Sequence, residues 1–96
     1  MTLLTYQVFK TVADIGSFHK AADILGLTPS AVSHTITNME KELGFTVLSR
    51  SKSGISLTNY GEKILPYINA VLNSDESLQQ MINDMNGLHT GRVKIG

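Results

Sequence analysis

Apolar residues recur every three or four positions in the first half of the chain, a periodicity typical of helices that bury one face. Gly16 and Gly26 are placed to end a first and a second helix, because glycine readily adopts the left-handed backbone of a helix terminus. Ser17 and Thr28 can cap the helices that follow them, and Pro29 suits a first helical position. The short connection between the second and third helices predicts a helix-turn-helix.

The third predicted helix, between Thr28 and Gly44, has two unlike faces. At ~100° per residue, its apolar side chains fall within about 60° of one another. The polar side chains collect on the opposite face, and they are Ser30, Ser33, His34, Thr37 and Lys41. Most of them are short and uncharged, which suits a face that is approached closely by a partner.

Beyond Gly44 the pattern predicts a hairpin and then a long helix. The stretches "FTVLSR" and "ISL" predict two short strands, with Gly54 in the turn between them. Thr58 can cap a helix that ends at Gly87, and Pro66 is expected to bend it. Apolar residues at alternating spacings of four and three predict a helix-to-helix seam made of Ile64, Ile68, Val71, Leu78, Ile82 and Met85, with Asp75 as its one gap.

The predicted fold is mainly α: a winged helix-turn-helix of three helices and a two-stranded β wing, followed by a long linker or dimerisation helix. The corresponding domains are 1–57 for the winged helix-turn-helix and 58–87 for the linker helix. Residues 88–96, which include "GRVKIG", are interpreted as the start of a further domain.

Composition supports an ordinary globular domain of 96 residues, with 42% hydrophobic and 17% charged residues. The absence of cysteine excludes disulfides and thiolate metal sites, and neither a secretory signal nor a membrane span is visible, so we expect a cytoplasmic protein without membrane contact. The net charge of zero argues mildly against a nucleic-acid partner. However, Arg50 and Lys52 cluster within the predicted wing.

The polar face of the third helix is a candidate for reading DNA, because the ~12 Å major groove admits one α-helix. Its amino-terminal end is the expected contact, since the helix dipole favours phosphates there and the acidic residues lie at the other end. Arg50 and Lys52 in the wing, with Ser17 and Lys20 in the second helix, are candidates for phosphate contacts. Each has a simpler explanation: a solvated helix face, a solvated hairpin tip, or, for Ser17, helix capping.

Enzymatic chemistry is not supported by the sequence. Ser33 and His34 are adjacent, but neighbours on a helix diverge by ~100° and cannot form a nucleophile and base pair. The three histidines lack metal-ligand spacing, and the glycines do not form a phosphate-binding loop. We therefore expect no catalytic residues, no metal and no cofactor.

Several linked motifs resemble the amino-terminal domain of LysR-type transcriptional regulators: "GSF" with "AA", "AVS" with "ME" and "LG", the arginine at position 50, and "LTNYGE". The resemblance implies a dimer that binds a dyad-related site in double-stranded DNA, and a small-molecule effector bound by a separate domain beginning near Arg92. It also implies DNA-facing roles for the following residues: Thr28, Pro29, Ser30, Ser33, His34 and Arg50.

The chain departs from the family pattern at three positions. Glutamine is frequent where Thr35 stands, phenylalanine where Leu48 stands, and a second wing arginine where Ser53 stands. Lys52 is placed to replace that last charge. A rival interpretation is a protein-interaction module whose active part is the seam of the long helix, and the neutral net charge favours this rival.

Overall fold

The structure is a computed structural model that describes residues 1–90, with side chains described through residue 87. Within this range it contains four helices and one antiparallel pair of strands. Their bounds are α1 Leu3–Ile15, α2 Phe18–Leu25, α3 Pro29–Leu43, β1 Leu48–Ser51, β2 Gly54–Leu57 and α4 Asn59–Thr90. The fold class expected from the sequence is confirmed.

The helix-turn-helix forms because local capping signals agree with the apolar pattern. Thr28 accepts a hydrogen bond from the Ala31 backbone N–H, and Pro29 occupies the first turn of α3. At the end of α2, Gly26 adopts a φ of 71°, which L side chains rarely adopt. The chain can therefore reverse within three residues and set α3 across α2.

The core lies between α1, α2 and α3, and the first half of α4 closes it. Its fully or nearly fully buried side chains are Val8, Phe9, Val12, Ala21, Ala22, Val32, Ile36, Met39, Val47, Leu48, Ile68 and Leu72. The two alanines allow α2 to pack closely, since a larger side chain would separate the helices. Among the described residues, no polar or charged residue is buried.

The first strand of the β wing begins later than the sequence predicted. The first strand begins at Leu48 rather than at Phe45, and it pairs with β2 from Leu48 opposite Leu57 to Ser51 opposite Gly54. Residues 52–53 form the turn, so Gly54 begins β2 instead of lying in the turn. Its φ of 123° explains why the position suits glycine.

Gly87 does not end α4, and this expectation was wrong. The helix continues to Thr90, because a glycine inside a helix costs only about 1 kcal/mol relative to alanine. Pro66 lies inside α4, and the bend expected there stays a prediction. The stretch "GRVKIG", which was interpreted as belonging to the start of a further domain, lies outside the described residues. No helix in the described part of the chain is both long and apolar enough to cross a membrane.

Candidate nucleic-acid interface

An open cleft lies where the amino-terminal ends of α2 and α3 meet the wing. Five of the residues predicted to contact DNA line it, and they are Ser17, Pro29, Ser30, Ser33 and Arg50. They come from three separate elements, and the turn between α2 and α3 together with the docked wing brings them to one side of the domain. The cleft is wide and open to solvent, which suits a large partner more than a buried small molecule.

The exposed face of α3 extends this surface. Ser30, His34 and Thr37 are exposed, whereas Ser33 is half-buried. The Thr37 hydroxyl donates to the Ser33 carbonyl oxygen over 3.0 Å, so its proton is already used within the helix. His34 has an exposed imidazole that can both donate and accept a hydrogen bond, which makes it the most versatile polar group on this face.

Two other predicted residues have structural roles that the structure makes explicit. Ser17 accepts a hydrogen bond from the Lys20 backbone N–H over 3.2 Å and caps α2. Thr28 caps α3 in the same way, with a distance of 3.1 Å to the Ala31 nitrogen. For both residues the hydroxyl oxygen is committed to a helix end, and its proton remains available to a partner.

Arg50 is the basic residue that the structure ties most closely to the cleft. Its guanidinium carbon lies 4.5 Å from the ring centroid of Phe18. One of its terminal nitrogens lies 3.4 Å from the hydroxyl oxygen of Ser33 and donates to it. Phe18 was not among the predicted site residues, because the sequence offers no signal that an apolar residue at the start of α2 contacts the wing.

The other two predicted phosphate contacts do not line the cleft, but each follows a residue that does, Lys20 after His19 and Lys52 after Ser51. Lys20 is exposed on α2, and Lys52 is exposed at the turn of the wing. Within the residues whose side chains are described, neither lysine nor Arg50 forms an ion pair with a carboxylate. The positive charge of Arg50 in the cleft and those of the two lysines next to cleft residues are therefore not neutralised by a carboxylate of the described side chains.

The acidic residues of α3 are occupied elsewhere. A single carboxylate oxygen of Glu40 accepts hydrogen bonds from the backbone N–H groups of Val47 and Leu48, at 2.8 and 3.3 Å. Glu42 forms an ion pair of 3.0 Å with the amino terminus of the chain. Glu40 thus fixes the segment that leads into the wing, a role that its position on the helix did not predict.

The predicted seam of α4 is divided between two environments. Ile68 is only 6% exposed and belongs to the core of its own chain, and Ile64 packs partly against that core. These two residues are therefore not free seam residues. The remaining four are at least 40% exposed, and they are Val71, Leu78, Ile82 and Met85. Met81, which was not predicted, is exposed beside them.

No group of three or more metal-binding side chains lies together in the described part of the chain.

Three short helices, a β wing docked against them and an exposed polar helix face define a winged helix-turn-helix domain. A sequence profile described as "Bacterial regulatory helix-turn-helix protein, lysR family" matches residues 3–62. The chain belongs to this family.

Sequence relatives agree with this assignment. The HTH-type transcriptional regulator YvbU of Bacillus subtilis is 38% identical over 97 residues, covering 100% of this chain and 33% of the relative. CzcR of Bacillus cereus is 38% identical over 96 residues with the same coverage. The chain thus spans about a third of the length of these relatives. Both relatives are named as transcriptional regulators.

Solved structures of the same family have the same fold. OxyR of Corynebacterium glutamicum superposes with a TM-score of 0.86 and 30% identity over 90% of this chain and 28% of its own. The DNA-binding domain of BenM, solved in complex with benA site 1 DNA, has a TM-score of 0.83 and 29% identity. The match covers 90% of this chain and 97% of that domain.

Proposed function

We propose that this chain is the DNA-binding part of a transcriptional regulator and that it reads double-stranded DNA with the amino-terminal half of α3. The observation that carries the proposal is the exposed, uncharged amino-terminal end of α3, with Arg50 in the same cleft and the exposed Lys20 and Lys52 next to cleft residues. That arrangement lets a helix approach base edges while the basic side chains neutralise phosphates. The DNA complex of the BenM domain supports the same mode of binding.

The polar residues have different roles in this proposal. His34, Ser30 and Thr37 face the base edges, and His34 has the longest reach and both hydrogen-bonding capacities. Ser33 lies deeper and is engaged by Arg50, so it contributes to positioning as well as to any base contact. Ser17, Thr28 and Pro29 keep the amino termini of α2 and α3 at the DNA surface, where the helix dipoles favour phosphate.

Dimerisation through α4 is the second part of the proposal. The exposed side chains of Val71, Leu78, Ile82 and Met85 recur at heptad-like spacing along one side of the helix. Pairing two such helices buries these side chains and relates two α3 helices by a two-fold axis, which matches a dyad-related DNA site. Because the DNA of a bacterium lies in its cytoplasm, a bacterial regulator that binds DNA in this way acts there.

Control by a small-molecule effector requires chain beyond the described residues. The relatives are about three times as long as this chain, which is consistent with a separate effector-binding domain after α4. We place no effector site within residues 1–87.

Selection from a pool of random duplex DNA tests the proposal, with the 96-residue chain used at low and at physiological salt. We expect an enriched motif with two-fold symmetry and binding that weakens steeply with salt. His34→Ala should cost about 1 to 3 kcal/mol on the preferred sequence and relax the preference at one position of each half-site. No enrichment at either salt, or binding insensitive to salt, would favour a protein-interaction module built on α4.

A further inference from the structure

Arg50 is not a freely extended side chain of the wing. It lies in β1, yet its guanidinium contacts α2 through Phe18 at 4.5 Å and α3 through Ser33 at 3.4 Å. The contact therefore connects all three elements of the candidate interface. Lys52, at the tip of the same wing, has no hydrogen bond or ion pair to the described residues.

The backbone explains why Arg50 points toward the helices. Side chains two residues apart on a strand share a face, and Leu48 is buried in the core. Arg50 therefore emerges on the same face as Leu48, toward α2, while Ser49 and Ser51 lie on the other face. Its register partner Ile55 is partly buried against the core and holds the strand at this position.

Phe18 is a firm support for the guanidinium. It is the first residue of α2, directly after the Ser17 cap, and it is packed partly against the core. A planar guanidinium over an aromatic face is attracted by the ring quadrupole and keeps its N–H groups pointing outward at its edge. One of these groups donates to Ser33, and the others stay available to an oxyanion.

We propose that Phe18 and Ser33 are positioning residues that hold the Arg50 guanidinium ready to bind a DNA phosphate, so that the wing and α3 engage DNA as one rigid unit. This inference rests on the proposed DNA-binding function. An arginine that is ordered before binding loses less side-chain entropy on the phosphate than one that is free in solvent. The ring of Phe18 therefore contributes to DNA affinity without contacting DNA.

The first test needs no DNA. In the free chain, the side-chain protons of Arg50 should resonate upfield of their random-coil positions, because they lie over the Phe18 ring. Phe18→Leu should remove that shift, and Phe18→Tyr should keep it. Random-coil shifts for Arg50 in the unsubstituted chain would overturn the positioning role, whatever the chain does with DNA.

The second test is a double-mutant cycle on affinity for a short duplex that carries the selected motif. Phe18→Leu should weaken binding by about two- to five-fold, the factor expected for one solvent-accessible cation–π contact. The same substitution should have almost no effect in an Arg50→Ala background. Ser33→Ala is expected to act in the same direction, and the part of its effect that passes through Arg50 should be absent in that background, whereas any contact of Ser33 with a base should remain.

Phe45→Leu is the matched control, because the Phe45 ring packs on Tyr60, with centroids 4.7 Å apart, and not on Arg50. It should leave DNA affinity unchanged at a temperature where all variants are folded. Equal effects of Phe18→Leu with and without Arg50, or an equal effect of Phe45→Leu, would overturn the proposal. If the unsubstituted chain showed the upfield Arg50 shift but bound no duplex, the Phe18–Arg50 contact would stand and the proposed DNA-binding function would be contradicted.

Discussion

Gly61 is the glycine whose missing side chain matters most to the described fold. It lies in the first turn of α4, directly under the backbone that leads into the wing. A Cβ at this position would collide with the carbonyl oxygen of Val47 and would lie 3.0 Å from a side-chain carbon of Leu57. Because the obstacle is backbone, Gly61→Ala should destabilise the fold by about 1 to 3 kcal/mol, measured by urea unfolding.

Gly87→Ala provides the matched control within the same helix. A Cβ there meets nothing within 4 Å, and α4 continues past it. Alanine should therefore leave the fold intact and favour the helix by about 0.5 to 1 kcal/mol, which helical ellipticity would report. Similar unfolding midpoints for the two variants would contradict the close approach of α4 to Val47.

The carboxylate of Glu40 makes a second residue-scale prediction. It is the acceptor for two backbone N–H groups, those of the buried Val47 and Leu48. Glu40→Ala leaves both donors without that acceptor, so we expect a loss of about 1 to 3 kcal/mol in unfolding free energy.

Glu42→Ala is the control for this change, because its side chain is 55% exposed and pairs only with the amino terminus. Exposed pairs contribute less than about 1 kcal/mol, so this variant should unfold near the unsubstituted chain. A larger loss for Glu42→Ala than for Glu40→Ala would refute the anchoring role of Glu40.

At the scale of elements, the sequence predicted correctly those helix ends that depend only on neighbouring residues. Ser17, Thr28 and Gly26 mark helix ends by chemistry that needs only neighbouring residues, and the helix-turn-helix was predictable for that reason. Glu40 and Phe18 act on residues seven or more positions away, so their roles depended on how the wing docks. The end of α4 was mispredicted because a glycine signal was given more weight than the cost of about 1 kcal/mol warrants.

The seam of α4 is another feature that the sequence predicted only in part. Its heptad spacing was visible in the sequence, but spacing does not tell which partner covers each residue. Ile68 is covered by the chain's own core, whereas Ile82 is 40% exposed. The two isoleucines are equivalent in the pattern and different in the fold, so Ile68 contributes to folding while Ile82 is available to the proposed dimer contact.

Ile82→Ser should therefore weaken self-association in sedimentation without changing the circular dichroism of the isolated chain. Ile68→Ser removes a buried side chain and should instead lower the unfolding free energy by about 2 to 5 kcal/mol. Gln80→Ser, on the opposite side of α4, should change neither quantity much. Unchanged self-association of Ile82→Ser would exclude the exposed stripe as the dimer contact.

At the scale of the whole molecule, zero net charge conceals a separation of charge. The side chains that carry charge between residues 64 and 87 are all acidic, and they are Asp75, Glu76 and Asp84. Arg50 lies in the cleft, and Lys20 and Lys52 follow cleft residues, whereas none of the three acidic residues lines the cleft. Since screening limits surface electrostatics to about 10 Å, a DNA phosphate at the cleft interacts with the charges near the cleft and not with the net charge of the whole chain.

Lys52→Ala should therefore weaken binding to all DNA sequences alike and reduce the slope of log affinity against log salt by about 0.9 per bound chain. Its preferred sequence should stay the same, because a flexible ammonium at the wing tip contacts phosphate rather than base edges. Lys10→Ala removes the same charge from α1, where Lys10 pairs with Asp14 at 2.8 Å, and should leave the slope unchanged. Equal slopes for Lys52→Ala and the unsubstituted chain would show that the wing tip does not reach phosphate, and the positive charge at the DNA would then come from Arg50 and Lys20.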